Sequence, residues 1–145
     1  MSQKIEKKND GEVRKLIEMA IEARKNSYSP YSHFQVGACL QGKSGNLYMG
    51  CNIENAGYSA TNCAERTAFF KAVSQGENKF KRIAVVGGKK GQELEFCPPC
   101  GICRQVMQEF CNPEEFEIII AVSVEKYEIY LLKELLPLGF TLNKS

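Results

Sequence analysis

An α/β layered domain with a mixed sheet is the fold the sequence predicts, and three observations predict it. Segments with the 3.6-residue apolar period of a helix alternate with short strand-like runs. The first two strand-like runs are joined by Gly42-Lys43-Ser44-Gly45, which reads as a hairpin turn, so the sheet is not purely parallel. The chain has 145 residues and neither an internal repeat nor a Pro/Gly/Ser-rich linker, which suits one domain over 1–145.

Each element has its own justification. Residues 1–8 are mostly polar and are expected to fray. Val13, Leu16, Ile17, Ala20 and Ile21 recur on one helical face. Asn9 with Glu12 resembles a capping box, and Pro30 disfavours helical geometry at Ser29, so the helix should end near Ser27. The charges from Glu12 to Lys25 read as its solvated face. Phe34, Val36, Ala38 and Leu40 then alternate with Gln35, Gly37, Cys39 and Gln41, giving a first strand. Leu47, Met49, Cys51 and Ile53 alternate in a second. A polar loop, 54–62, leads into a helix over 63–75 that stops before Gly76. An apolar strand, 82–86, is closed by Gly87-Gly88. Pro98-Pro99 opens a third helix over 100–111. A further buried strand spans 116–122, and Pro137 limits a last short helix in Leu131-Leu-Lys-Glu-Leu-Leu136.

Composition narrows the function. The net charge of +2 does not suggest a nucleic-acid binder. The N-terminus has no apolar signal region, and the longest apolar run, 118–122, is far short of a membrane span, so a soluble, cytoplasmic protein without a membrane partner is expected. Seven cysteines in such a chain do not read as a disulfide framework. Cys39, Cys51 and Cys111 read as small buried hydrophobes. His33, the only histidine, sits in a loop before a strand and is kept outside any site.

Two helix starts carry reactive residues, Cys63-Ala64-Glu65 and Pro99-Cys100-Gly101-Ile102-Cys103. Cys100 and Cys103 share one helical face and can reach one ion. A thiolate at a helix N-terminus is stabilised by the positive end of the dipole. If the two helices lie side by side, Cys63 supplies a third sulfur, and a zinc ion with three protein ligands keeps one position open for catalysis. Glu65, two residues beyond Cys63, is placed to move protons to and from water at that position. Two other readings stay open at this point: a redox pair in the Cys-x-x-Cys segment, and a structural zinc knot with Cys97 as fourth ligand.

The chain resembles the small homotetrameric zinc-dependent cytidine deaminases. The matching stretches are Ser29-Pro-Tyr-Ser-His-Phe-Gln-Val-Gly-Ala38, Cys51-Asn-Ile-Glu-Asn-Ala-Gly-Tyr58, Cys63-Ala-Glu-Arg-Thr-Ala68, Pro99-Cys-Gly-Ile-Cys-Arg-Gln105 and Leu135-Leu-Pro-Leu-Gly-Phe140. The resemblance implies a three-layer α/β/α cytidine deaminase fold with a mixed five-stranded sheet. It implies one Zn2+ per subunit on Cys63, Cys100 and Cys103, with Glu65 as the proton shuttle. Asn52 and Glu54 would bind the ribose, chiefly at the 3′-hydroxyl. Phe34 would pack on the pyrimidine, and Ala64 would also contact the substrate. Ala56, Tyr58 and Phe140 would complete a neighbouring subunit's site. Arg66 would hydrogen-bond the ligand sulfurs, where three thiolates and Zn2+ sum to −1 and a guanidinium offsets the excess. The implied reaction is hydrolytic deamination of cytidine and deoxycytidine to uridine and deoxyuridine with release of ammonia, in pyrimidine salvage: zinc-bound hydroxide attacks C4 while Glu65 shuttles protons. Pro98, where relatives often carry serine, departs from the pattern, and Cys97 reads as structural. Competing functions are a deaminase of free bases or antibiotic nucleosides, a polynucleotide editor, and a non-enzymatic zinc scaffold. The first has no need of Asn52 and Glu54, and the second needs a basic surface.

Overall fold

The computed structural model describes residues 10–142. The elements run α1 (Asp10–Arg24), β1 (Phe34–Gly42), β2 (Leu47–Cys51), a 3-10 turn (Tyr58–Ala60), α2 (Ala64–Ser74), β3 (Phe80–Lys89), α3 (Gly101–Phe110), β4 (Glu117–Ala121), β5 (Tyr127–Leu131) and α4 (Leu132–Leu135). The sheet order is β2-β1-β3-β4-β5. Only β3 and β4 pair in parallel, across the α3 crossover, and the other neighbours are antiparallel. The expected mixed five-stranded sheet is present.

Period-two alternation along the strands separates two cores. Ala38, Leu40, Ile83, Val85, Ile118 and Ile120 pack with Ala64, Ala68 and Phe69 of α2 and Met107 of α3. Cys39, Ala84, Val86, Ile119 and Ala121 pack with Val13, Leu16, Ile17 and Ala20 of α1. Helices therefore cover both faces, in three layers. Phe69 anchors the first core, with its ring 4.9 Å from that of Phe80 in a T-shaped pair.

Two glycines set how closely the helices approach. A Cβ at Gly37 would lie 2.0 Å from Ala20 O, so α1 crosses directly over β1. A Cβ at Gly50 would lie 2.4 Å from Ala64 O and 2.6 Å from Ala68 N, so the first turns of α2 rest on β2. All three distances are shorter than any carbon contact, so only glycine fits at either position.

The structure corrects the sequence reading in several places. The helix α1 ends at Arg24 rather than near Ser27. Its last residue turns back to the sheet, donating from Nε to Gln35 O (2.8 Å) and from Nη2 to Gly88 O (2.8 Å). Asn9, the proposed cap, lies outside the described residues. Glu12 does not belong to a wholly solvated face: its carboxylate approaches the buried Arg82 at 3.4 Å, and Arg82 also pairs with Glu117 at 3.2 Å. In β2 the inward residues are Tyr48 and Gly50, while Met49 is exposed. Strand β3 continues through Gly87 and Gly88 to Lys89, because both glycines pair with β1 opposite Val36 and Gln35. Strand β5 stands where the sequence reading has only a tail before a helix, and α4 is correspondingly short.

Gly50→Ala is expected to lower the unfolding free energy by about 3 kcal/mol, because backbone of α2 must shift to admit one methyl group. Gly11→Ala, on the exposed start of α1 with nothing within 4 Å, should instead stabilise by about 0.5 kcal/mol. Urea titration of the two variants checks the contrast.

Candidate metal centre and active site

The site forms where the N-termini of α2 and α3 meet. Cys63 is the N-cap of α2 and Cys100 the N-cap of α3, both with extended backbone, and Cys103 lies in the first turn of α3. Cys63 and Cys100 therefore both sit at positive dipole ends, and Cys100 also uses its sulfur as a cap. Cys103 N donates to Cys100 Sγ at 3.4 Å. Cys63 Sγ is 3.7 Å from Cys100 Sγ, which is 3.3 Å from Cys103 Sγ. All three lie within 4.8 Å of one another. A tetrahedral zinc with bonds of about 2.3 Å needs sulfurs about 3.8 Å apart, so these residues fit the ion with little movement. They are the only such cluster of potential ligands among the described residues.

Arg66 donates from Nη2 to Cys63 Sγ at 3.3 Å. A hydrogen bond from Cys103, reinforced by Arg66 and opposed by burial, pushes the Cys63 thiol down to about 5. The same contact, with burial, raises Cys103. Glu65 follows Cys63 by two residues in the first turn of α2 and is only 4% exposed. Burial, aided by the negative charge of Cys63, lifts its carboxyl to about 7. A buried carboxyl beside a three-sulfur cradle can give or take a proton without leaving its place.

Cys97 stays outside the cluster. A Cβ at Gly87 would meet Cys97 Sγ at 2.9 Å and the Phe34 ring at 3.0 Å, so Gly87 makes room for both side chains. Burial pushes the Cys97 thiol up to about 11, and its sulfur packs against Gly87 of β3. All seven cysteines are free. Burial raises Cys39 to about 12 and also raises Cys51 and Cys111. His33 is exposed in its loop, with φ +59.

The chain brings Phe34, Asn52 and Glu54 together at the start of β1. The Asn52 carboxamide donates to Phe34 O (2.8 Å) and accepts from Val36 N (2.9 Å) and the Ser27 hydroxyl. Glu54 accepts from Tyr31 N (3.0 Å), Ser32 N (3.2 Å) and the Ser32 hydroxyl. Burial raises the Glu54 carboxyl, but the bonds from Ser32 and Tyr31 outweigh it and the net direction is down. Ala64 is buried between Cys63 and Glu65. Ala56, Tyr58 and Phe140 stand exposed on this chain's own surface, Tyr58 by 88% and Phe140 by 65%. Gln105 Nε2 ties the tail to α3 at Phe140 O (2.9 Å). Ser27 and Ser32 carry no role in the sequence reading, and the only signal for Ser32 is its place two residues before Phe34.

Three cysteine sulfurs at paired helix starts, with a buried carboxyl beside them on an α/β/α sheet, form a candidate metal centre with a proton-transfer group next to it. The family model for the cytidine and deoxycytidylate deaminase zinc-binding region matches residues 11–118. The chain is 48% identical to a cytidine deaminase of Halalkalibacterium halodurans over 87% of its own length and 92% of that protein's. It is 56% identical to one of Sporosarcina psychrophila over 70% and 71%. A crystal structure of cytidine deaminase from Burkholderia pseudomallei superposes with a TM-score of 0.78 at 43% identity, covering 87% of this chain and 97% of that one. The chain belongs to the cytidine and deoxycytidylate deaminase family, a family of zinc-dependent hydrolases.

Metal analysis should find one zinc per chain. Cys100→Ala should remove most of it, whereas Cys97→Ala should leave the stoichiometry unchanged.

Proposed function

We propose that this single-domain protein deaminates cytidine and deoxycytidine hydrolytically, releasing ammonia, as a cytoplasmic enzyme of pyrimidine salvage. The observation that carries the proposal is the sulfur cradle of Cys63, Cys100 and Cys103 with buried Glu65 against it. Cys63, Cys100 and Cys103 would hold the zinc, which would supply Lewis-acid activation of a water molecule. Glu65 would shuttle the protons: one from the attacking water to N3 of the pyrimidine as the C4–O bond forms, and a second from the resulting C4 hydroxyl to the amine as the C4–N bond breaks and ammonia leaves. Arg66 offsets the excess negative charge of the thiolates. The backbone N–H groups at the helix starts help hold the attacking oxygen.

Phe34 packs against the pyrimidine, and Ala64 contacts the base. Asn52 uses one of its two amide hydrogens on Phe34 O, and the other reaches a ribose hydroxyl. Glu54, its carboxyl held ionised, accepts from the 3′-hydroxyl. Both cytidine and deoxycytidine carry that group, which favours acceptance of both. No helix among the described residues is long and apolar enough to cross a membrane. Seven free cysteines suit a reducing compartment.

The active form is a homotetramer in which Ala56, Tyr58 and Phe140 complete neighbouring sites. The exposure of the Tyr58 and Phe140 rings, among other exposed apolar side chains, supports this.

Glu65→Gln should lower kcat about a thousandfold while zinc stays bound, measured as uridine and ammonia release from cytidine beside metal analysis. No release by the native, zinc-loaded protein would remove the nucleoside assignment. Light scattering should give four copies per particle, and Phe140→Ala should cut kcat/KM about tenfold. A fully active monomer would refute the shared-site arrangement.

A further inference from the structure

One short turn holds both the proposed ribose contact and the start of β1. The Glu54 carboxylate offers roughly four acceptor positions. Tyr31 N, Ser32 N and the Ser32 hydroxyl occupy three, leaving one on Oε2. The same Ser32 Oγ accepts from Phe34 N at 3.0 Å. Between them His33 takes a left-handed backbone (φ +59), held by its own N–H to Ser29 O (3.0 Å) and by Lys90 N to its carbonyl (2.8 Å). That geometry is costly for a non-glycine residue and persists only where its surroundings enforce it. It lets one serine side chain face Glu54 and Phe34 together.

We propose that Ser32 is a positioning residue for the reaction. Its hydroxyl fixes the Glu54 carboxylate relative to Phe34, so that a nucleoside meets its sugar contact and its base contact at one preset spacing. This rests on Glu54 binding the 3′-hydroxyl as proposed above. A carboxylate left to rotate on a surface loop must be ordered each time a ligand binds; one already held by three donors is not. Ser32 touches neither substrate nor metal in this scheme and acts through Glu54.

The test compares cytidine with 2′,3′-dideoxycytidine, which lacks the hydroxyl that Glu54 would bind. Ser32→Ala should lower kcat/KM for cytidine about tenfold, mainly through KM, since a hydrogen bond to a charged group is lost. On the dideoxynucleoside the same substitution should cost less than about threefold, because the Glu54 contact is already absent. Ser32→Thr, which keeps the hydroxyl, should restore most of the loss. Should Ser32→Ala fail to fold, Ser32→Cys carries the same comparison. Equal losses on both nucleosides, or no loss on either, would overturn the positioning role. A native enzyme that turned over both nucleosides equally well would instead overturn the ribose contact of Glu54, and the proposal with it.

Discussion

Three sulfurs within 4.8 Å of one another repel once ionised, and much of this structure follows from the need to hold them there. Two features of the chain meet that need. Cys63 and Cys100 each cap a helix, where free N–H groups and the dipole favour negative charge. Arg66 then brings a full positive charge to Cys63. The arrangement works only if two helices from distant parts of the sequence start at the same place. The sheet enforces this: α2 lies on β2 through Gly50, and α3 bridges the parallel strands β3 and β4.

The burial of Glu65 belongs to the same solution. The first turn of α2 packs against the sheet, with Ala64 and Ala68 inside the core. A carboxylate two residues after the capping cysteine is thereby taken out of water. Its perturbed acidity is a by-product of the packing that sets the cradle.

What the sequence could reveal divides along the length scale of the interaction. Cys63-Ala-Glu65 and Cys100-x-x-Cys103 are local spacings on helices, and local spacing survives in a linear text. The periodic apolar face of α1 was legible for the same reason. Strand β5 was not, because Glu128 interrupts its apolar run and Leu131–Leu136 reads as helix. The inward face of β2 was hidden because its key residue is a glycine, which carries no hydrophobic signal. The pairing of Glu12 with buried Arg82 and the holding of Glu54 by Ser32 join residues far apart in sequence, where neither spacing nor composition gives a sign. Family resemblance names Asn52 and Glu54 as expected ribose contacts, but not the hydrogen bonds that hold them.

Asn52 shows how little chemical freedom such a residue retains. Its carbonyl oxygen accepts from Val36 N while its amide nitrogen donates to Phe34 O, so it extends the pairing of β1 as a peptide group would. Aspartate has no hydrogen to offer Phe34 O, and leucine of similar size would leave both backbone groups unanswered. Sequence drift at this position is therefore filtered by the sheet and, under the proposed ribose contact, would be filtered a second time by the ligand. On that reading an exchange there would disturb folding and recognition in a single step, and neither could be adjusted independently of the other.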